Sequence, residues 1–454
     1  MLYDFAKYKD QYKANLRLAL PVVLTQLGQI LTQVADNLMV GRYGGDDPLP
    51  LASVSFGGAI SFIFFIASAG IALGLTPLVG ELFVRNEHRR SSILLHNAVV
   101  FYTLLGVVMM LIQWLSVPLL YHLGQPAEVV EASIPYYRML LLSLPPIMLF
   151  FAFKQFLEGV GNTRAELYVT IVANLANIGF NWVFIYGRYG FPEMGAEGAG
   201  LGTLLARTIA PVAIIAYFVS RSQYRPYLSG FSLRNLSSRI VGRLLRMGLP
   251  ISSQMFLESS AFVGTSVMMG WFGTQAIGAN QIAITLGNCA FMIVLSIGAA
   301  TTIRISHCYG VRNIGELALA ARASYHLVLA WNSFAALAFI VLRDWIPALF
   351  TTNTEVIAIT SQLLVFVALY QLSDGVQNIS VGILRGIQDV KIIMPIAFVS
   401  YWLINIPVGY LFGFTLGMGP CGLFFSYLFG LSAAALMMIW RIRRNIRQLY
   451  AGQR

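Results

Sequence analysis

Three carboxylates lie inside apolar stretches long enough to cross a membrane: Asp36 within residues 16–40, Glu258 within 249–271 and Asp374 within 363–384. A charged side chain at the bilayer centre costs at least ~2.5–3.5 kcal/mol, so such groups face polar cavities and mark ion or substrate paths. Polar neighbours accompany each acid at helical spacing. Gln26, Gln29, Gln33 and Asp36 follow at steps of three and four, which places them on one helix face. Asn174, Asn177 and Asn181 repeat that spacing in a later stretch. Gln254 stands one turn before Glu258, and Tyr370, Asp374, Gln377 and Asn378 share a further segment. Isolated amides in bundles ordinarily bond one helix to the next. A stripe ending in a carboxylate asks for more.

A carboxylate in a low-dielectric interior is protonated, paired with a cation or bound to a metal. Fixed bases inside the spans are scarce. Lys154 precedes Glu158 by one turn and is expected to pair with it. Arg207 lies deeper and would neutralise any acid it reached. Three acids with at most one internal counter-charge leave a proton or a small cation as the natural partner. Burial raises a carboxyl pKa and a bound Na⁺ lowers it again. Occupancy of such a site can bias a two-state protein, which is the chemistry of coupled transport.

The elements that must position these acids are membrane helices. The chain of 454 residues is 57% hydrophobic and 11% charged, against about 25% charged in soluble proteins. Apolar stretches of about 20 residues recur from end to end, the signature of a polytopic all-α membrane protein. Twelve spans are expected, centred on Ile30, Phe62, Val107, Leu144, Asn174, Ile209, Ser259, Leu286, Leu329, Leu369, Tyr401 and Leu431. The first is no cleavable signal peptide, because it is too long and carries Asp36. The net charge of +11 comes from basic residues flanking the spans, so it does not indicate nucleic-acid binding. Lys9, Lys13, Arg17, Arg89, Arg90, Arg225, Arg243, Arg312, Arg385 and Arg444 fall on one side, which places both termini in the cytoplasm. The same residues suit contact with anionic lipid headgroups.

Enzyme chemistry finds little support. The three cysteines are far apart, and the five histidines form no HExxH pair. There is no GxSxG elbow and no phosphate-binding GxxxxGK[ST] loop. No cofactor is expected beyond the coupling Na⁺ or H⁺.

The second half echoes the first. Leu18-Ala19-Leu20-Pro21 matches Met247-Gly248-Leu249-Pro250, Val84-Arg85-Asn86 recurs as Val311-Arg312-Asn313, and Leu157-Glu158-Gly159 recurs as Leu384-Arg385-Gly386. Six spans per half is even, so the two repeats run parallel. The expected organisation is a six-helix lobe over 1–219, a basic linker over 220–243 and a second six-helix lobe over 244–454. In that register Asp36 corresponds to Thr265, Glu258 to Gln29 and Asp374 to Ile147. None of the acids repeats, which argues against a mere scaffold role.

The chain resembles the multidrug and toxic compound extrusion (MATE) family, in its NorM branch. The matching stretches include Ala35-Asp36-Asn37-Leu38-Met39-Val40-Gly41, Asn177-Ile178-Gly179-Phe180-Asn181, Asn280-Gln281-Ile282-Ala283 and Tyr370-Gln371-Leu372-Ser373-Asp374. The resemblance implies a V-shaped bundle of twelve helices in the bacterial inner membrane. Its expected function is export of cationic or amphipathic compounds in exchange for Na⁺ or H⁺, and a monomer is expected. It implies a second-lobe cation site at Glu258, Asp374 and Tyr370, with Na⁺ a possible occupant. It also implies a first-lobe polar site at Asp36, Asn177 and Asn181. Asn174, Gln33, Gln254, Asn280, Gln281 and Asn378 are further residues expected to line the cavity. Asn280 departs from the histidine associated with the branch. The alternative is a lipid-linked saccharide flippase of related architecture, which would need intramembrane bases for a pyrophosphate.

Overall fold

The computed structural model describes residues 5–45 and 47–451, so the extreme termini lie outside the described residues. Among those residues there is no strand. The long helices are α1 (Phe5–Gly44), α2 (Leu49–Val84), α3 (His88–Leu115), α4 (Ala127–Gly159), α5 (Arg164–Ile185), α6 (Gly195–Ser220) and α7 (Ser238–Gly270). They continue as α8 (Thr274–Gly310), α9 (Ile314–Val341), α10 (Thr354–Gly386), α11 (Ile393–Thr415) and α12 (Pro420–Ala451). Eleven of the described helices are long and apolar enough to cross a membrane. The remaining one, α7, is 33 residues long; its apolar run is diluted by Gln254, Glu258 and four serines from Ser252 to Ser260. Each expected span is thus a helix.

Prolines decide where the helices break. In α2 the winding is interrupted at Leu73–Gly74, because Pro77 has no amide for the Leu73 carbonyl and its ring crowds that group. In α4 the interruption falls at Ser143, just ahead of Pro145 and Pro146. The corresponding α8 and α10 of the second half contain no proline and run unbroken. This continuity keeps Tyr370, Asp374, Gln377 and Arg385 on one face of α10. In α11, bounded by Pro395 and Pro407, Phe398–Asn405 winds as a π-helix.

The described residues form two compact units, Pro21–Ser252 and the remainder. The divisions fall inside α1 and α7, whereas the sequence boundaries at 219 and 244 follow the duplication of the chain. The physical reason lies in the first turns of those helices. Gln11 and Asn15 of α1 are bound within the unit that holds α8 and α9. Arg304 donates to the Gln11 carbonyl and to Asn15 Oδ1, both at 2.9 Å, and Asn15 donates to Ser324 at 3.0 Å. The first turns of α7 belong instead with α2: Arg243 meets Glu81 at 3.3 Å and Ser252 donates to the Ala67 carbonyl at 2.8 Å. The basic stretch before α7 is also tied down. Asn97 of α3 donates to the Asn235 carbonyl at 2.9 Å and accepts from the Ser237 amide at 2.8 Å.

Close packing in the second unit depends on small residues, as membrane helices require. A Cβ on Gly386 would stand 2.6 Å from Ile305 Cβ, and one on Gly382 would stand 2.8 Å from the Gly298 carbonyl oxygen. The turn after α10 is closed by Asp389, which accepts from Arg441 Nε at 2.7 Å and from Asn445 at 2.6 Å. Burial alone would raise the Asp389 carboxyl. The hydrogen bonds from Arg441 and Asn445 outweigh that and hold it below the ordinary carboxylate range. The stability this contributes is therefore present at neutral pH and is lost as pH falls through the folded value.

Candidate functional site

The acids fall into two clusters, one in each unit. In the first unit, Asn181 Nδ2 donates to Asp36 Oδ1 at 2.6 Å and approaches Asn177 Oδ1 at 3.4 Å. Asn177 donates in turn to Thr203 Oγ1 of α6, at 3.4 Å. The four-residue step on α5 puts both amides on one face, and Asp36 of α1 meets that face. Thr203 belongs to no polar stripe in the sequence, and only the packing of α5 on α6 reveals it. Asn174 turns toward Gly28 of α1, its Nδ2 lying 3.2 Å from where a Cβ would stand. Gln33 is exposed.

Asn181 is seated by the absence of a side chain on Gly202: a Cβ there would collide with Asn181 Oδ1. Gly202→Ala is expected to destabilise the protein by about 1–3 kcal/mol through overpacking. The cost should largely vanish in an Asn181→Ala background. Melting temperatures of the two single variants and the double variant check this, and a full cost in the double variant would refute the contact.

Arg207 has a defined place in the same unit. Its Nη1 donates to Ser143 Oγ at 2.8 Å and its guanidinium lies 5.4 Å from the centre of the Phe65 ring. It also lies within electrostatic reach of Asp36 and Tyr136. Ser143 is where α4 breaks, so the helix interruption creates the arginine's acceptor. Lys154 pairs with Glu158 as expected and gains a second acid. Its nearer partner is Glu166 at 2.7 Å, with Glu158 at 3.9 Å, because α5 brings Glu166 against the end of α4.

In the second unit, Gln254 Nε2 donates to Glu258 Oε2 at 2.5 Å. Arg385 Nη2 donates to Gln254 Oε1 at 3.2 Å. The amide therefore bridges acid and arginine, and Arg385 also acts on Glu258 through space. This overturns the expectation of at most one internal counter-charge, since Arg207 and Arg385 both reach inward. Arg385 follows Asp374 by eleven residues, three helical turns, so the spacing on α10 carried the signal. Asp374 is only 8% exposed. Among the described residues, Glu258 is the charged group acting on it, and the two repel. Tyr370 sits one turn away, its hydroxyl 3.3 Å from where a Cβ of Gly287 would stand, and Asp374 is within its electrostatic reach.

Two acids and one arginine leave this cluster one negative charge in excess when both acids are ionised. In a low dielectric that excess needs a cation or a proton. Three further residues expected to line the cavity have the following surroundings. Asn280 donates to Ser266 at 3.2 Å. Asn378 packs against Gly298 of α8. Gln281 is exposed.

The chain is similar to known proteins in both sequence and fold. The MatE family model matches residues 21–183 and again 250–411, one match in each half of the chain. A probable multidrug resistance protein NorM of Idiomarina loihiensis is 30% identical over 451 residues, covering 97% of this chain and 96% of that protein. A multidrug resistance protein NorM of Photobacterium profundum is 29% identical over 441 residues, with 96% of each covered. In fold, the chain matches a mutant of the MATE transporter VcmN of Vibrio cholerae with a TM-score of 0.89 at 20% identity, covering 98% of this chain and 99% of that one. The two family matches, the NorM relatives and the shared fold lead to one conclusion: this multi-pass membrane protein belongs to the MATE family of transporters, in its NorM branch.

Proposed function

We propose that this protein is a secondary antiporter that exports organic cations or amphipathic compounds in exchange for Na⁺ or H⁺. The observation that carries the reading is the charge balance around Asp374. Its one charged neighbour among the described residues is another acid, and that acid already has Arg385 within reach. A mobile cation is the natural complement. The names of the NorM relatives support drug efflux as the task.

In this reading Glu258, Asp374 and Tyr370 hold the coupling ion, and Asp36 with Asn177 and Asn181 forms a second polar site. The duplicated halves act as two six-helix lobes of a monomer in a bacterial inner membrane, with both termini in the cytoplasm. One charge moving inward down 100 mV supplies ~2.3 kcal/mol, enough for roughly fifty-fold accumulation. The flippase alternative draws no support from the bases, since Arg207 is engaged by Ser143 and Phe65 and Arg385 by Gln254.

The test is ethidium transport by purified protein in liposomes under imposed Na⁺ and pH jumps. Export should start with an inward gradient of one of these ions and stop when the gradient collapses. Equal rates with and without both gradients would overturn antiport.

A further inference from the structure

The geometry points to Tyr401 as a further oxygen ligand of the coupling ion, its hydroxyl completing the site made by Glu258 and Asp374. The inference deepens the proposed antiport and rests on it. Tyr401 is fully buried, and its hydroxyl faces Glu258 and Gln377 without a well-formed hydrogen bond to either. Buried tyrosine hydroxyls are ordinarily well bonded, so one held loosely beside a carboxylate in a packed core calls for a reason.

Its surroundings supply one. The next residue, Trp402, donates its indole N–H to Ser260 of α7 at 3.2 Å, two residues past Glu258. That bond fixes this stretch of α11 across the Glu258 turn. Tyr401 also shares a buried cluster with Tyr370, Tyr427 and Ala261. Glu258 and Gln377 lie within hydrogen-bonding reach of its hydroxyl, and the charges within its electrostatic reach are Glu258 and Asp374. The hydroxyl thus stands beside two carboxylates whose combined charge one arginine does not balance. A phenol oxygen both accepts and donates. It can offer a lone pair to a cation held by the carboxylates, or donate a hydrogen bond to whichever carboxylate is left ionised. The π-helical winding of Phe398–Asn405 is the local device that sets the ring's direction. Such windings recur at functional sites.

The variant Tyr401→Phe removes only the oxygen. In liposomes, its half-saturating concentration of the coupling ion is expected to rise about tenfold or more. Its maximal rate and its half-saturation for ethidium should stay near those of the unaltered protein. Tyr427→Phe, a neighbouring buried tyrosine outside the reach of the acids, should titrate like the unaltered protein. Size-exclusion profile and melting temperature establish folding, and Tyr401→Met replaces Tyr401→Phe should that variant fail to assemble. Stabilisation of each purified variant by the ion gives a readout independent of transport.

Unchanged ion titration in Tyr401→Phe, with transport lost in Asp374→Asn, would overturn the Tyr401 assignment and leave antiport standing. A folded but inactive Tyr401→Phe that the ion still stabilises at the original concentration would overturn it as well. Ion-driven export at the original rate in Asp374→Asn would instead remove the antiport reading, and the inference with it.

Discussion

Asp374→Asn is expected to lower ion-driven ethidium export about a hundredfold or more while raising the melting temperature of the purified protein. The two effects have one cause. Asp374 is buried and faces a second acid, so its ionised form is held at a cost. Replacing it with a neutral isostere relieves the repulsion with Glu258 and stabilises the fold. The same replacement removes the unbalanced charge that an ion would neutralise. Losing a charge-assisted contact of about 3 kcal/mol corresponds to roughly a hundredfold in occupancy.

Glu258→Gln should behave differently. It also abolishes export, but it lowers the melting temperature, because Arg385 then keeps only the Gln254 contact in a buried setting. The double variant should be folded and inactive. Full export by folded Asp374→Asn, Glu258→Gln protein would refute the site. Opposite shifts in melting temperature for the two single variants separate ion binding from a scaffold role, for which both would destabilise.

Lys154→Met is expected to destabilise the first unit by about 3–5 kcal/mol, the cost of breaking a buried ion pair on one side. Lys154 meets Glu166 at 2.7 Å and Glu158 at 3.9 Å, and the two acids keep only 3% and 7% of their side-chain surface exposed. Glu166 Oε2 already lacks a hydrogen-bond partner among the described residues. Without the lysine, two buried carboxylates repel each other. Glu166→Gln in the Lys154→Met background should recover most of the loss. A thermal double-variant cycle measures the coupling, and additive losses would show that the pair is not the source.

Spacing along the chain made the acids legible, together with the four-residue steps of Asn177–Asn181 and Gln254–Glu258. Neighbours one turn apart on a helix face are set by the 3.6-residue period alone. The same period pointed to Arg385, three turns beyond Asp374, yet its place among basic residues at a span end made it look like a topology marker. Lys154 shows the opposite limit. Its partner one turn away, Glu158, was visible in sequence, but Glu166 on the following helix lies closer.

By itself, then, the sequence determined the all-helical class, the duplicated halves, the unrepeated acids and the family resemblance, because periodicity, hydropathy and local register are properties of the chain. Tertiary structure alone decided which helices meet. It brought Thr203 to Asn177, Arg207 to Ser143, Arg385 to Gln254 and Tyr401 to the Glu258 turn. It also left Gln33 and Gln281 exposed and gave Asn280 to Ser266. Those pairings depend on crossing geometry, on proline breaks at Leu73 and Ser143, and on glycines such as Gly202 and Gly382. No spacing within a single helix encodes them.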